Sequence, residues 1–170
     1  FDVRQDPHAV TSTTVKASPD TTPAQGQWVW GARGWWYRYA DGTYPTNTSK
    51  TIGGKVYRFD ADGYMRTGWV FEQGLWYYHA VSGAQATGWV LDGISWYYMD
   101  PSTGAMATGW VTVGSHSYYL DPQTGIMKTG WLKDGDSWYY LKPGSGQMAT
   151  GRVWIGWRYY RFSETGQLIR

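Results

Sequence analysis

A Thr-Gly-Trp triplet recurs through most of this chain, and it restricts the fold more than any other feature. Complete copies end at Trp69, Trp89, Trp110 and Trp131, and a fifth copy ends at Arg152, with spacings of 20, 21, 21 and 21 residues. A Trp-Tyr-Tyr cluster begins seven residues after three of these tryptophans, at 76–78, 96–98 and 138–140. A repeat of this length predicts units that bury their apolar faces on neighbouring units.

Each unit has the pattern of a β-hairpin. Aromatic and β-branched runs flank Asp92-Gly93 and Asp134-Gly135, and such pairs are typical of two-residue type I′ turns. The Pro-, Thr- and Gly-containing segments at 100–106 and 121–127 then indicate turns that lead to the next unit. Because an isolated hairpin is only marginally stable, we predict an all-β fold, a solenoid of stacked β-hairpin repeats of about 20–21 residues.

The chain divides into two parts by composition. Residues 1–26 are predicted to be an N-terminal tail and a linker, because residues 11–26 are rich in Thr, Ser, Pro and Ala. Residues 27–170 are predicted to form the repeat domain, with about seven hairpin units, of which two divergent ones precede Trp69.

Composition excludes several functional classes. The 170 residues include 13 Trp and 15 Tyr but no Cys, and the net charge is only +2. Nucleic-acid binding is therefore not expected, and no apolar run is long enough for a membrane span. The three histidines lack metal-ligand spacing, and no catalytic motif is present, so we expect no metal, no cofactor and no enzymatic activity in this chain.

The repeated GW, WYY and G-x-M-x-T-G-W elements resemble the choline-binding, or cell-wall-binding, repeats of Gram-positive cell-wall hydrolases and surface proteins. Related repeats occur in glucansucrases, where they bind glucan, and in clostridial toxins. The resemblance covers residues 28–170. It implies a solenoid of stacked hairpins with ligand sites in the grooves between units, each closed by a connector Met.

Strand geometry indicates what those grooves contain. Successive side chains of a strand point to opposite faces, so each groove is lined by both Trp residues of one hairpin and the first Tyr of the next. Three aromatic rings suit a quaternary ammonium, which cannot donate hydrogen bonds. The predicted cages are Trp69/Trp76/Tyr97, Trp89/Trp96/Tyr118, Trp131/Trp138/Tyr160 and a looser set, Trp28/Trp36/Tyr57.

The grooves are not all alike. Met106 and Met148 are assigned to the second and third cages, whereas Gln85 takes the place of Met in the first. No cage is expected where Ser49 and Val56 replace the tryptophans. The Trp110 groove, with Tyr139, has Ser117 beside His116 in place of its second Trp, and such polar groups suit a sugar ring.

These observations predict a non-catalytic module that attaches a secreted bacterial protein, a peptidoglycan hydrolase or an adhesin, to the cell wall. The expected partner is choline on teichoic or lipoteichoic acid, and the expected location is the surface of a Gram-positive bacterium, or a phage lysin that acts there. Two alternatives remain open: the same grooves bind glucan or another glycan, or the aromatics only form a core. The resemblance also allows a homodimer.

Overall fold

The fold consists of short antiparallel strands. The structure, a computed structural model, describes the backbone of Val15–Lys16 and all of residues 26–170. These residues contain strands and turns but no helix. The strands are β1 (Val15–Lys16), β2 (Gln27–Gly31), β3 (Gly34–Arg38), β4 (Thr48–Ile52), β5 (Lys55–Phe59), β6 (Gly68–Glu72), β7 (Leu75–His79), β8 (Gly88–Asp92), β9 (Ser95–Met99), β10 (Gly109–Val113), β11 (His116–Leu120), β12 (Gly130–Asp134), β13 (Ser137–Leu141), β14 (Gly151–Ile155) and β15 (Arg158–Phe162).

Consecutive strands from β2 onward pair as seven antiparallel hairpins, which we number 1 (β2–β3) to 7 (β14–β15). This arrangement confirms the predicted all-β fold of stacked hairpin repeats. The β1 strand adds to hairpin 1, where Val15 pairs with Val29 and Lys16 with Trp28. These two residues belong to the predicted linker, and the remainder of the predicted tail and linker, up to residue 25, lies outside the described residues.

The chain forms two compact units, which divide between Ala86 and Thr87. Hairpins 1–3 belong to the first unit and hairpins 4–7 to the second. Within each unit, a connector crosses back to the hairpin before the one that it follows. In the second unit, for example, the Met127 N–H follows hairpin 5 and donates to the Trp96 carbonyl of hairpin 4, at 2.8 Å. These hydrogen bonds stack the hairpins.

The turns of hairpins 4 and 6 differ in detail from the type I′ turns that the sequence predicts. Asp92 pairs with Ser95, so the loop residues of hairpin 4 are Gly93 and Ile94. Gly93 has φ of 61°, and Ile94 has no positive φ. Positive φ at the first loop position alone is the pattern of a type II′ turn. Hairpin 6 has the same pattern at Gly135, because Asp134 is the last residue of its strand.

Strand register decides which side chains share a face. In hairpin 4, Trp89 pairs with Tyr98 and Val90 with Tyr97. Directly paired residues lie on one face, as do residues two apart along a strand. Trp89, Trp96 and Tyr98 therefore point toward hairpin 5, and Tyr97 points the other way, as predicted.

The end of each second strand contributes to the most buried part of the fold. The last residue of each second strand is almost inaccessible from hairpin 2 onward. In five hairpins this residue is apolar, and its exposed fraction is 2% or less. These residues are Phe59, Met99, Leu120, Leu141 and Phe162. Hairpin 3 has His79 there, at 1% exposed, so a polar ring replaces the apolar side chain.

Candidate aromatic binding grooves

An aromatic groove lies between hairpins 4 and 5, and we call it the Trp89 groove. The rings of Trp89 and Trp96 are 6.4 Å apart between centroids and nearly perpendicular, at 89°. Tyr118 of hairpin 5 faces Trp89 at 4.8 Å. Alternation along β8, β9 and β11 brings these three rings to one cavity, as the sequence predicts.

Connectors close the other sides of the Trp89 groove. Met127 lines it, together with Gly144 and Ser145 from the next connector, and the cavity measures about 250 Å³. The hydrogen bond from the Met127 N–H to Trp96 holds the methionine across the groove. None of the six lining residues carries a charge. The cavity therefore presents π faces and a thioether, which favour a soft, weakly hydrated cation.

The methionine assignment from sequence is wrong by one repeat. Met106 was expected to close the Trp89 groove, but its thioether packs near Gly125, and Met127 occupies the predicted place. The reason is the path of the connector, which covers the groove of the preceding hairpin. A sequence rule could have identified Met127: the closing methionine follows the second tryptophan of its groove, here Trp96, by about one and a half repeats.

The groove between hairpins 6 and 7, the Trp131 groove, repeats the aromatic geometry. Trp131 lies 6.3 Å from Trp138 and 4.9 Å from Tyr160. The predicted Met148 is not its closing residue, because the Met148 N–H bonds to Ser117 of hairpin 5 and the Leu168 N–H bonds to Trp138.

Two cations distinguish the Trp131 groove from the Trp89 groove. Lys133 shares the strand face of Trp131, and the Arg158 guanidinium lies 5.9 Å from the Tyr160 ring centre. Like charges repel, so these cations weaken the site for an ammonium ligand. The Trp89 groove is the stronger candidate.

The predicted Trp110 and Tyr139 pair meets between hairpins 5 and 6, with ring centroids 4.9 Å apart. Ser117 stands where the other grooves have their second tryptophan, and Met148 crosses over it. The Trp110 indole N–H donates to Asp134 Oδ2 at 2.8 Å. His116 is not part of this groove, because it pairs with Val113 on the opposite face of hairpin 5.

In hairpin 1 the predicted Trp28/Trp36/Tyr57 cage is wrong in one member. Trp28 pairs with Tyr37 and Trp36 with Val29, so Trp36 points to the opposite face and is only 2% exposed. Trp35 takes the equivalent of the second cage position. Tyr57 lies 4.8 Å from Trp28 as predicted. Trp28 is itself buried and is part of a core cluster with Ile52 and Phe59, so this groove is closed.

Hairpin 3 carries the first two members of the predicted Trp69/Trp76/Tyr97 cage. The Trp69 and Trp76 rings are 6.3 Å apart, as in the Trp89 groove, and 42% of Trp76 is exposed. Tyr97 belongs to the second compact unit. The complete cage stays a prediction.

The groove between hairpins 2 and 3, where no cage was expected, is occupied by Arg58. Its guanidinium lies 3.7 Å from the Tyr77 ring centre and donates to Glu72 and Gln85, each at 2.5 Å. Gln85 also bonds through its N–H to the Val56 carbonyl. Gln85 therefore closes this groove. The repeat pattern predicts it in the Trp69/Trp76/Tyr97 cage, which lies one repeat later.

His79 completes this cluster at 3.1 Å from the Arg58 guanidinium, and its other ring nitrogen lies 2.7 Å from the Gly83 carbonyl. Burial lowers the pKa of His79, with a further contribution from the charge of Arg58. The imidazole is therefore neutral at pH 7, and this polar cluster replaces an aromatic groove.

The connector carboxylates are turn residues, as predicted. Asp100 accepts hydrogen bonds from the Ser102 hydroxyl and from the Ser102 and Thr103 N–H groups, which hold its pKa at about 2. Asp121 accepts the corresponding bonds from Thr124 and Gln123, and its pKa is likewise about 2. Carboxylates this acidic cannot serve as proton donors near neutral pH.

Family profiles agree with this geometry. The profile of the choline-binding repeat matches residues 72–108 and 107–152, and the profile of a putative cell wall binding repeat matches residues 50–65. The chain belongs to the choline-binding repeat family. Among curated protein sequences, none matches it significantly.

Solved choline-binding proteins share the fold. CbpJ from Streptococcus pneumoniae TIGR4 has 35% identity and a TM-score of 0.78, over 85% of this chain and 52% of that chain. Choline binding protein F from Streptococcus pneumoniae, solved with a peptidoglycan analogue, gives the same values. The endolysin of phage Cp-1 complexed with choline has 40% identity and a TM-score of 0.56, over 79% of this chain and 40% of that chain. This chain thus spans about half the length of the first two relatives.

The last hairpin, hairpin 7, departs from the pattern of the other repeats. Arg152 replaces the first tryptophan, and its guanidinium lies 3.9 Å from the Tyr159 ring centre. Trp154 packs on the same ring at 4.6 Å.

Within residues 26–170, no helix is long and apolar enough to cross a membrane, and no group of three or more His, Asp or Glu side chains could hold a metal ion.

Proposed function

We propose that this chain is a non-catalytic module that attaches a secreted protein to choline groups on teichoic or lipoteichoic acid of a Gram-positive cell wall. The observation that carries the proposal is the uncharged Trp89 groove, with three aromatic rings and Met127 around about 250 Å³. Its cargo would be a peptidoglycan hydrolase, from a bacterium or a phage, or an adhesin.

The exposure of the groove tryptophans favours binding over a purely structural role. Trp96 is 39% exposed and Trp138 is 37% exposed, whereas Leu120 and Leu141 at the ends of the second strands are inaccessible. A side chain kept only for the core is expected to be covered. Large apolar rings that remain open in a cavity are typical of ligand sites.

A trimethylammonium group fits the chemistry of this cavity. It is weakly hydrated and has no N–H to donate, so an uncharged aromatic lining leaves no ligand group unsatisfied. Each cation–π contact contributes about 0.5–2 kcal/mol. Three contacts together contribute about 1.5–6 kcal/mol, a range that includes the roughly 4 kcal/mol of a millimolar dissociation constant.

Weak single sites are sufficient if the partner is a polymer. The Trp89 and Trp131 grooves belong to one compact unit, and a choline-bearing polymer can engage both. Linking two sites raises the overall affinity by about 10²–10⁴-fold without any new contact. Two neighbouring members of the family, an autolysin and a phage endolysin, are modular proteins, which agrees with a module that carries a separate activity.

The test is a titration with choline and with its uncharged isostere 3,3-dimethylbutanol, followed by calorimetry and tryptophan fluorescence. We expect saturable binding of choline at millimolar concentration, and at least tenfold weaker binding of the isostere, because only choline has the charge that the rings attract. Trp89→Ala should remove the Trp89 site.

The matched control is Trp157→Ala, because Trp157 lies in the turn of hairpin 7 and is 95% exposed. This variant should bind choline as the unaltered chain does. Equal binding of choline and the isostere would contradict the cation–π account. An unaltered chain that binds neither would refute the proposed ligand.

A further inference from the structure

The groove between hairpins 5 and 6, which we call the Trp110 groove, keeps the position of a choline cage but not its chemistry. Asp134 ends β12 and faces this groove, since it shares a strand face with Tyr139. The corresponding strand position is Val113 in hairpin 5, which faces the Trp89 groove, and Ile155 in hairpin 7, which faces the Trp131 groove. An acidic side chain therefore replaces an apolar one only in the middle of the three grooves of this unit.

Hydroxyl groups replace apolar groups on the facing hairpin as well. Thr112 and Ser117 share the strand face of Trp110, and their hydroxyl oxygens are 3.5 Å apart. The Trp89 groove has Leu91 and Trp96 at these two positions. Ser117 therefore removes one indole wall, and hydroxyl and carboxylate oxygens border this groove where the Trp89 groove has apolar groups.

We propose that the Trp110 groove binds a neutral pyranose ring of a cell-surface glycan. The C–H face of a sugar packs on an aromatic ring, which Trp110 and Tyr139 supply. Sugar hydroxyls donate to Asp134, which already accepts the Trp110 indole N–H at Oδ2 and has Oδ1 as a further acceptor. Such charge-assisted hydrogen bonds are about twice as strong as neutral ones.

This inference adds a second ligand to the proposed wall-binding module, and the two ligands can be tested separately. The Trp110 indole fixes Asp134 at 2.8 Å, so the acceptor is held in place before a sugar arrives. Asp134 attracts a choline cation as well as sugar hydroxyls. Choline has no N–H group to donate to Asp134, however, and with Ser117 in place of the second tryptophan the groove offers it one indole fewer than the Trp89 groove does. Pyranose hydroxyls both donate and accept, and they match this lining.

The experiment records tryptophan indole N–H resonances by NMR during titrations of the whole chain with chitotriose, isomaltotriose and choline. Trp110→Phe and Trp89→Phe assign the two resonances. We expect at least one trisaccharide to shift the Trp110 resonance saturably, and choline to shift the Trp89 resonance. A response to chitotriose indicates an N-acetylglucosamine polymer, and a response to isomaltotriose indicates a glucan.

Asp134→Val is the informative variant, because Asp134 is exposed and Val113 occupies the same place in hairpin 5. It should weaken the sugar by about tenfold or more, from loss of a charge-assisted hydrogen bond, with choline binding at Trp89 unchanged. Ser117→Trp should rebuild an aromatic wall, and choline should then reach this groove.

Three outcomes would overturn the inference. These are no Trp110 shift with either trisaccharide, full sugar affinity in Asp134→Val, or choline saturating the Trp110 resonance as tightly as the Trp89 resonance in the unaltered chain. A choline failure at Trp89 with a sugar response at Trp110 would refute the proposed choline function and leave this inference standing.

Discussion

Gly146 offers a way to move one wall of the Trp89 groove without changing any ring. A Cβ added at Gly146 would lie 2.4 Å from Met127 Sδ and 2.8 Å from its Cε. These distances are far below van der Waals contact, so Met127 must leave its position. Its three rotatable bonds allow this at a cost of about 0.5–1.5 kcal/mol for a less favourable rotamer.

Backbone strain adds to that cost and can be measured separately. Gly146 has φ of 72°, and Gly109, which is not among the residues that line the groove, has φ of 73° with no atom within 4 Å of an added Cβ. A residue other than glycine costs about 1–2 kcal/mol in this region. Gly109→Ala is therefore the matched control, since it carries the strain but leaves Met127 and the groove in place.

The assay combines urea unfolding with the choline titration. We expect both variants to lose about 1–2 kcal/mol of unfolding free energy from strain, and Gly146→Ala to lose about 0.5–1.5 kcal/mol more. Gly146→Ala alone should weaken choline at the Trp89 resonance, by roughly twofold to tenfold, because one wall of the cavity is lost. Equal choline affinity in the two variants would refute the role of Met127 as the closing residue.

Three further predictions concern the polar positions. Arg58→Met should lower the free energy of unfolding in urea by about 3 kcal/mol, because it removes a buried charge that has three polar partners. Arg161 is exposed, so the control Arg161→Met should cost less than about 0.5 kcal/mol. Similar losses in the two variants would refute a stabilising role for the Arg58 cluster. Because the pKa of His79 is lowered in the folded chain, its imidazole binds a proton more readily in the unfolded chain. The free energy of unfolding should therefore be highest above about pH 6.5 and fall as the pH drops below that value. His79→Phe should remove that dependence in unfolding measured from pH 5 to 8, and an unchanged slope would contradict it. The pKa of Asp121, about 2, predicts a stabilising contribution that is present above about pH 3.8 and lost as the pH falls toward 2, and acid unfolding that is the same in Asp121→Asn would contradict this.

The local elements of this fold were predictable from the sequence because the hairpin signals repeat at fixed spacing. The pairing of Trp89 with Tyr98, and the opposite orientation of Tyr97, follow from strand alternation once the turn is located. The Trp89 and Tyr118 pair across two hairpins was predictable for the same reason. Hairpins 5 and 6 repeat both assignments.

Errors arose where a repeat was aligned one residue out of register or where the chain crosses between repeats. In hairpin 1, Trp35 and Trp36 are adjacent, and a slip of one residue exchanges the faces of the strand. Alignment of the Trp-Tyr-Arg cluster at 36–38 with Trp-Tyr-Tyr selected Trp36, whereas the seven-residue spacing from Trp28 and the pairing of Trp36 with Val29 both select Trp35. Met127 was missed because its hydrogen bond to Trp96 is made by a connector that belongs to a later unit.

The Arg58 cluster was beyond the reach of the repeat comparison. Ser49 and Val56 correctly indicated that no cage forms, but nothing in the pattern predicted which side chain fills the space. The guanidinium on Tyr77 and the bond to Gln85 depend on long side chains from three strands and a connector. Such contacts depend on the folded arrangement of one site and do not recur at the repeat spacing, so a comparison of repeats cannot predict them.

The most direct test of the central claim is an NMR measurement of contacts between bound choline and the chain. The account predicts nuclear Overhauser effects from the choline N-methyl protons to ring protons of Trp89, Trp96 and Tyr118, and to the Met127 methyl group. Saturable choline binding with contacts only elsewhere, or no binding at millimolar choline, would contradict the account.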